Sequence, residues 1–199
     1  MHPLEKFRYC PRCGSSDFTE SSPQSKRCGN CGFEYFMNAS AAYVALIVNE
    51  NDELLVLTRG REPAKGTLDL PGGFSEIGET AEEGVRREVL EETGLTVDKA
   101  KYLFSQPNVY PYSGINIFTL DSFFFCEVHD LSSLKAADDA ADCQWMAISS
   151  LPYELFGLRS IRHGVRRFAE EWKNRPTAEK RKTERHPVRT DGRIKIHEN

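Results

Sequence analysis

Gly73 to Leu95 reads GFSEIGETAEEGVRREVLEETGL, and these residue types specify a helix with one chemical face. Thr80 is a natural N-cap, and Glu83, at the third helical position, completes a capping box. Gly94 is the residue type that closes a helix at C′. Between these stops Glu88, Glu91 and Glu92 stand at i, i+3 and i+4, which 3.6 residues per turn places on one face. Three carboxylates so close repel one another, and hard divalent cations with oxygen ligands relieve that repulsion. Val85 and Val89 flank the stripe and give the helix an apolar edge to anchor it. Glu82–Arg86 and Glu83–Arg87 are favourable i,i+4 pairs. A solvated acidic helix laced with ion pairs accounts for Glu82 and Glu83. It does not account for the Pro71-Gly72-Gly73 approach or for a glycine at each end.

The chain has 199 residues, 39% of them hydrophobic, with 12 Phe and 7 Tyr. That length suits one domain with a small appendage, and the apolar content is enough for a real core. A net charge of -4 argues against bulk nucleic-acid binding. No run approaches the ~20 apolar residues needed to span a bilayer. MHPLEKFRYC holds no apolar stretch of the secretory type. Paired cysteines in such a chain point to metal rather than disulfides, and to a cytoplasmic protein.

Residues 1–38 read as a separate module. Cys10-Pro-Arg-Cys13-Gly and Cys28-Gly-Asn-Cys31-Gly are two C-x2-C knuckles with fourteen residues between them. Two tight turns that each present two thiolates make a tetrahedral Zn²⁺ site, a zinc ribbon, with no position left open for water. The alternatives are two disulfides or a redox pair, and a redox C-x-x-C expects a strand-to-helix context that is missing here. Cys126 and Cys143 lie beside apolar strand residues and read as buried free thiols. The five His show no ligand spacing.

Residues 39–172 read as one domain. AAYVALIV, ELLVLT and GTLDL are predicted strands, with Asn51-Asp52 turning between the first two. LTVDKAKYLF, NIFTLDSFFFCEV and CQWMAI follow the box helix as further strands. A last helix starts near Leu158, where Leu158, Ile161, Val165, Phe168 and Trp172 repeat at helical spacing and predict packing on a sheet. Residues 173–199 are polar, with nine Lys or Arg against four Asp or Glu. They read as a basic, disordered, solubilising tail.

The constrained positions Gly73, Glu79, Arg87, Glu88, Val89, Glu91, Glu92, Gly94 and Leu95 all fit G-x5-E-x7-R-E-U-x-E-E-x-G-U, with U aliphatic. On that motif the chain resembles the Nudix hydrolases. The resemblance implies an α/β Nudix fold, a mixed β-sheet sandwiched between α-helices, behind the zinc ribbon. It implies hydrolysis of a nucleoside diphosphate linked to another moiety, with Mg²⁺ or Mn²⁺ on the carboxylate face. Glu88 and Glu92 are the foremost ligands, and Glu91 is a ligand or the water-activating base. Backbone carbonyls near Gly72 or Gly73 are candidate further ligands, and Glu79 and Arg87 brace the loop and helix. A further acid from outside the helix is common in this family, and Asp139, with Asp138 and Asp142 beside it, precedes Trp145 at the fitting distance.

Ser105-Gln106-Pro107-Asn108-Val109-Tyr110-Pro111-Tyr112-Ser113 is similar to SQPWPFPxS of the NADH pyrophosphatase branch, which also carries a zinc ribbon. Asn108 and Val109 depart from that tag, and the tract around Tyr35 keeps the Tyr but not the following Pro-Arg. The expected substrate is a dinucleotide such as NAD(H), with Ser105, Gln106, Tyr110 and Tyr35 as candidate contacts. Tyr35, Tyr110 and Tyr112 can stack on a base. A Pro-rich loop with core aromatics is the other reading of that segment. ADP-ribose, FAD or another nucleoside diphosphate derivative is the alternative substrate. A non-catalytic nucleotide-sensing or RNA-binding module is the alternative of another class, although the box keeps all its carboxylates. NAD-capped RNA and a homodimer stay open, and no membrane partner is expected.

Overall fold

The structure is a computed structural model and describes residues 2–135 and 140–175. Three short strands open it: β1 (Phe18–Ser22), β2 (Ser25–Cys28) and β3 (Glu34–Phe36) form an antiparallel sheet in that order. There follow β4 (Ser40–Leu46), β5 (Glu53–Arg59), β6 (Leu68–Asp69), β7 (Gly72–Phe74), α1 (Ala81–Thr93), β8 (Lys99–Tyr112), β9 (Ile115–Glu127) and β10 (Ala140–Ala147). Two 3-10 turns, Ile148–Ser150 and Tyr153–Leu155, lead to α2 (Arg159–Lys173). One sheet runs β7-β4-β9-β8, with β4 and β9 parallel and the other pairs antiparallel. A second, antiparallel sheet runs β10-β5-β6.

The continuous apolar run of β4 is explained by burial on both faces. Tyr43, Ala45 and Ile47 pack with Val85 and Val89 of α1, and Val44 and Leu46 pack with Ile161, Val165 and Phe168 of α2. On β9, Phe123 faces α2 and Phe124 faces α1. Each fully buried Val or Leu here contributes about 1.5–3 kcal/mol. Both helices approach the sheet through a glycine. A Cβ on Gly84 would lie 2.1 Å from the Tyr43 ring, and one on Gly164 would lie 2.2 Å from the Phe123 ring.

The capping box forms as read: Thr80 Oγ1 accepts from the Glu83 N–H, Glu83 accepts from the Thr80 N–H, and Gly94 closes the helix in the left-handed region at φ 71. The two i,i+4 pairs do not form. Glu83 is taken by the cap, and Arg86 donates to the Val97 and Asp98 carbonyls. Arg87 turns instead to Glu79, Glu88 and Glu91, with Glu76 at the 4.0 Å edge of ion-pair range. The stripe on α2 is core, with Leu158 and Trp172 half-buried at its ends. Cys126 is buried, whereas Cys143 is only half-buried.

Three features depart from the sequence reading. The short β7 and the ribbon's own sheet carry no periodic pattern, being three to five residues long. Ser105–Tyr112 is strand rather than loop, the distal half of β8, which pairs through Tyr112↔Ile115. Pro107 and Pro111 fit because β8 is the sheet edge, where a missing N–H need not break a ladder. The last helix ends at Lys173, inside the expected tail. The remainder of that tail, from residue 176, lies outside the described residues, as do Asp138 and Asp139. Among the described residues, no helix is long and apolar enough to cross a membrane.

Candidate active site

A cleft of about 580 Å³ opens between the α1 carboxylates, the end of β5, the distal β8–β9 hairpin and the start of α2. Glu88, Glu91 and Glu92 all line it, together with Gly72 and Gly73. The register of β4 against β7 sets Gly72 opposite Val44 and Gly73 opposite Tyr43, so the box loop is held by a strand rather than hanging free. A Cβ on Gly72 would lie 2.0 Å from the Tyr43 carbonyl oxygen, so only glycine permits this approach. The Gly72 N–H then donates to Glu92 Oε2 at 2.9 Å. Gly73 leaves a cradle for Glu88: a Cβ there would meet the Glu88 carboxylate at 2.4 Å.

Arg87 organises the rest. Its Nε and Nη2 donate to both oxygens of Glu79 at 3.1 and 3.0 Å, Nη2 to the Phe74 carbonyl at 3.1 Å, and Nη1 to Glu88 and Glu91 at 2.9 and 3.1 Å. Glu79 also accepts from the Glu76 N–H at 2.7 Å. One guanidinium therefore ties the loop before α1 to two of the three carboxylates on the helix face. Arg87 and then the Glu76 amide hold the Glu79 carboxyl below the usual range. Burial pushes the Glu88 carboxyl up, against the pull of Arg87, and the neighbouring Glu91 and Glu79 charges add to the rise. The donor set of three carboxylates, one of them partly desolvated beside another, fits a hard divalent cation.

The hairpin side of the cleft is polar where β8 and β9 turn inward. Asn108, Tyr110 and Tyr112 alternate on β8, and Ile117, Thr119 and Asp121 on β9. Tyr110 packs edge-to-face on Phe74 at 5.6 Å, and its hydroxyl accepts from Arg59 Nη2 at 3.3 Å. Arg59 also pairs with Asp69 and donates to the Pro63 carbonyl at 2.8 Å. Burial pushes the Asp69 carboxyl up, and the Arg59 contact pulls it back. Ser105 and Gln106 sit further along β8, opposite Ser122 and Asp121, and are not among the residues lining the cleft. Tyr35 lies on β3, its ring stacked on Phe7 at 6.3 Å, and does not line the cleft either. Asp142 pairs opposite Thr58 on β10 and accepts from the Cys143 N–H. Sequence reasoning did not single out Arg59, Asp69, Thr119 or Asp121, and it met Asn108 only as a departure. A lone acid in the apolar run FTLDSFFF was the one available signal for Asp121.

In the N-terminal module the four sulfurs of Cys10, Cys13, Cys28 and Cys31 lie within 4.8 Å of one another. Cys10–Cys31 and Cys13–Cys28 approach to 3.7 and 3.6 Å. A tetrahedral ion with bonds of about 2.3 Å spaces its sulfurs by about 3.8 Å, so the cluster fits a thiolate-bound metal. Gly14 and Gly32 donate back to the Cys10 and Cys28 carbonyls, closing each knuckle. The Ser15 amide, followed by the Asn30 side chain, pulls the Cys13 thiol down to about 6.

Residues 37–172 match the NUDIX domain model, and the chain belongs to that family. Within the family it is similar to the NAD-capped RNA hydrolase NudC of Vibrio atlanticus (strain LGP32), with 30% identity over 151 residues, 76% of this chain and 53% of that protein. It is also similar to the ADP-ribose pyrophosphatase of Methanocaldococcus jannaschii, with 36% identity over 131 residues, 64% of this chain and 72% of that protein. The chain spans about half the length of the NudC relatives it matches. A NUDIX hydrolase from Nitrosomonas europaea shares the fold, with TM-score 0.64 and 22% identity over 84% of this chain and 93% of that one.

Proposed function

We propose that this chain is a divalent-metal-dependent pyrophosphatase that cleaves the diphosphate of an NAD-type dinucleotide into two mononucleotides. The observation that carries the reading is the set of Glu88, Glu91 and Glu92 on one face of α1, turned into a cleft whose far side is lined by Tyr110, Asn108 and Asp121. Bound Mg²⁺ or Mn²⁺ supplies charge neutralisation of the diphosphate and a more acidic water. Glu88 and Glu92 hold the ion, and the Gly72 N–H and the Gly73 cradle fix their carboxylates. Glu91, the more exposed of the three, takes the proton of the attacking water, with Asp139 as the candidate second acid. Arg87 positions Glu88 and Glu91. The Tyr110 ring, held by Phe74 and Arg59, offers a stacking face to a base.

In the same proposal the four cysteines hold Zn²⁺ in a structural ribbon of residues 1–38, ahead of a hydrolase unit at 39–172 and a basic tail at 173–199. Metal-bound thiolates suit a reducing compartment, which supports a cytoplasmic location. The similarity to NudC supports NAD-capped RNA as an additional substrate.

ADP-ribose is the second reading. The departure at Asn108 and Val109 from the dinucleotide tag favours it, as does the similarity to the archaeal ADP-ribose pyrophosphatase. Purified protein incubated with Mg²⁺ or Mn²⁺ and NADH, NAD⁺, ADP-ribose, FAD or diadenosine compounds separates these readings. Mononucleotide products from NADH at the highest kcat/KM support the proposal. A clear preference for ADP-ribose replaces it with the second reading, and no cleavage of any of them returns the chain to the sensor class.

A further inference from the structure

The inner wall of the cleft holds a pair of polar side chains that phosphate chemistry does not use. Asn108 is only 9% exposed and lines the cleft, yet among the described residues its side-chain amide has no hydrogen-bond partner. Among the described residues its amide atoms are not with the fully buried unpartnered ones, so they stay open to the cleft, and an otherwise buried amide that meets only the cleft offers its donors and acceptor to a ligand's polar edge. Opposite Asn108 on β9 stands Thr119, and Asp121 follows two residues on, on the same face. Asp121 is 5% exposed and also lines the cleft.

Asp121 is held from both sides. The Thr119 hydroxyl donates to Oδ1 at 2.6 Å, and the hydroxyl of Ser160, in the first turn of α2, donates to Oδ2. No cation pairs with it among the described residues, because the nearby Arg59 is committed to Asp69. Both oxygens thus accept from protein hydroxyls, and each keeps a lone pair for a further donor. Diagonal partners across an antiparallel pair stand about 7–8 Å apart, room for the edge of one planar ring. Ile117, Leu158 and Ile161 supply apolar surface for its faces.

We propose that Asn108 and Asp121 form a base-reading subsite for an N–H₂ donor lying beside a hydrogen-bond acceptor. The donor goes to Asp121, and the acceptor takes an N–H from the Asn108 amide. A carboxamide on a pyridine ring and the amino edge of adenine both present this pattern. A carboxylate or oxo group in place of the N–H₂ sets lone pairs against Asp121, and a site built to hydrogen-bond one group rejects an analogue lacking it strongly. This inference rests on the pyrophosphatase reading above and names the part of the substrate that the cleft selects.

The test compares kcat/KM for NAD⁺ with two analogues, one with the carboxamide replaced by carboxylate and one with adenine replaced by hypoxanthine. The wild type should lose about tenfold or more on one of the two, and which one identifies the base bound here. Asp121→Asn should bring that ratio near one, with a melting curve confirming the fold. Asn108→Ala, whose lost amide has no partner among the described residues, should also narrow it. Changes under twofold for both analogues, or discrimination that survives in both variants, overturn the subsite. Metal-free equilibrium binding of the paired mononucleotides, nicotinamide against nicotinate and AMP against IMP, reads the same preference without turnover. A base preference in binding with no dinucleotide cleavage sinks the pyrophosphatase reading alone, and no base preference in binding sinks the subsite.

Discussion

Gly73→Ala tests the geometry of the box most sharply. The added methyl would lie 2.4 Å from Glu88 Oε1, where ordinary contact begins at 3.4 Å, so the carboxylate must withdraw by about 1 Å. It cannot simply rotate away, because Oε1 is held by Arg87 at 2.9 Å and Arg87 is itself tied to Glu79 and the Phe74 carbonyl. A 1 Å misplacement of a catalytic group costs on the order of 100-fold, about 2.7 kcal/mol of transition-state stabilisation. Alanine adds only one methyl to an extended strand position, and the clash is with a side-chain end, so the fold should survive. The assay is release of mononucleotide from the substrate identified in the screen, measured across a Mg²⁺ or Mn²⁺ titration. The expected result is kcat lowered by about 100-fold, a raised metal requirement, and a melting midpoint within a few degrees of wild type. Turnover within threefold of wild type at saturating metal would refute the idea that the Gly73 cradle positions a metal-binding Glu88. Loss of activity together with unfolding would place Gly73 in the fold instead.

Glu92→Gln keeps shape and removes charge, and hydrolysis should fall by roughly 100-fold or more while the fold persists; near-normal turnover on a genuine substrate rejects Glu92 as a ligand. Elemental analysis should find about one zinc per chain, lost on replacing Cys10, Cys13, Cys28 or Cys31; metal-free protein, or a disulfide among these thiols, rejects the ribbon site. The Thr80 amide and hydroxyl hold the Glu83 carboxyl below its unfolded value of about 4.3. A depressed folded-state pKa stabilises above the unfolded value and is lost as pH falls through the folded one. The melting difference between wild type and Glu83→Gln should therefore be full near pH 7 and shrink below pH 4, and a difference independent of pH excludes the charged cap.

What the sequence determined by itself was local. The caps of α1, the one-face carboxylates, the apolar stripe of α2 and the paired knuckles each lie within about twenty residues of chain, where helical and turn periodicity alone fixes which side chains are neighbours. The resemblance read from the box motif rests on the same short window, whereas the NUDIX domain model matches residues 37–172. Tertiary structure decided what faces those carboxylates. Asn108 on β8, Asp121 on β9, Ser160 on α2 and the Arg59–Asp69 pair meet only because β9 pairs with both β4 and β8 while α2 caps the same face. No spacing in the chain encodes that meeting, since it depends on strand order and register. The same cause hid the path of Ser105–Tyr112. Its prolines argued for a loop until the sheet gave it an edge, and that edge placed Asn108 and Tyr110 in the cleft while Gln106, two residues back on the same face, stayed outside it. Even the two i,i+4 ion pairs expected on α1 gave way to other partners: Arg86 reaches the Val97 and Asp98 carbonyls, and Arg87 takes Glu79 before the helix with Glu88 and Glu91 along it. A guanidinium offered the buried-edge carboxylates Glu79 and Glu88 gains more than one left on a solvated face, where an ion pair contributes little.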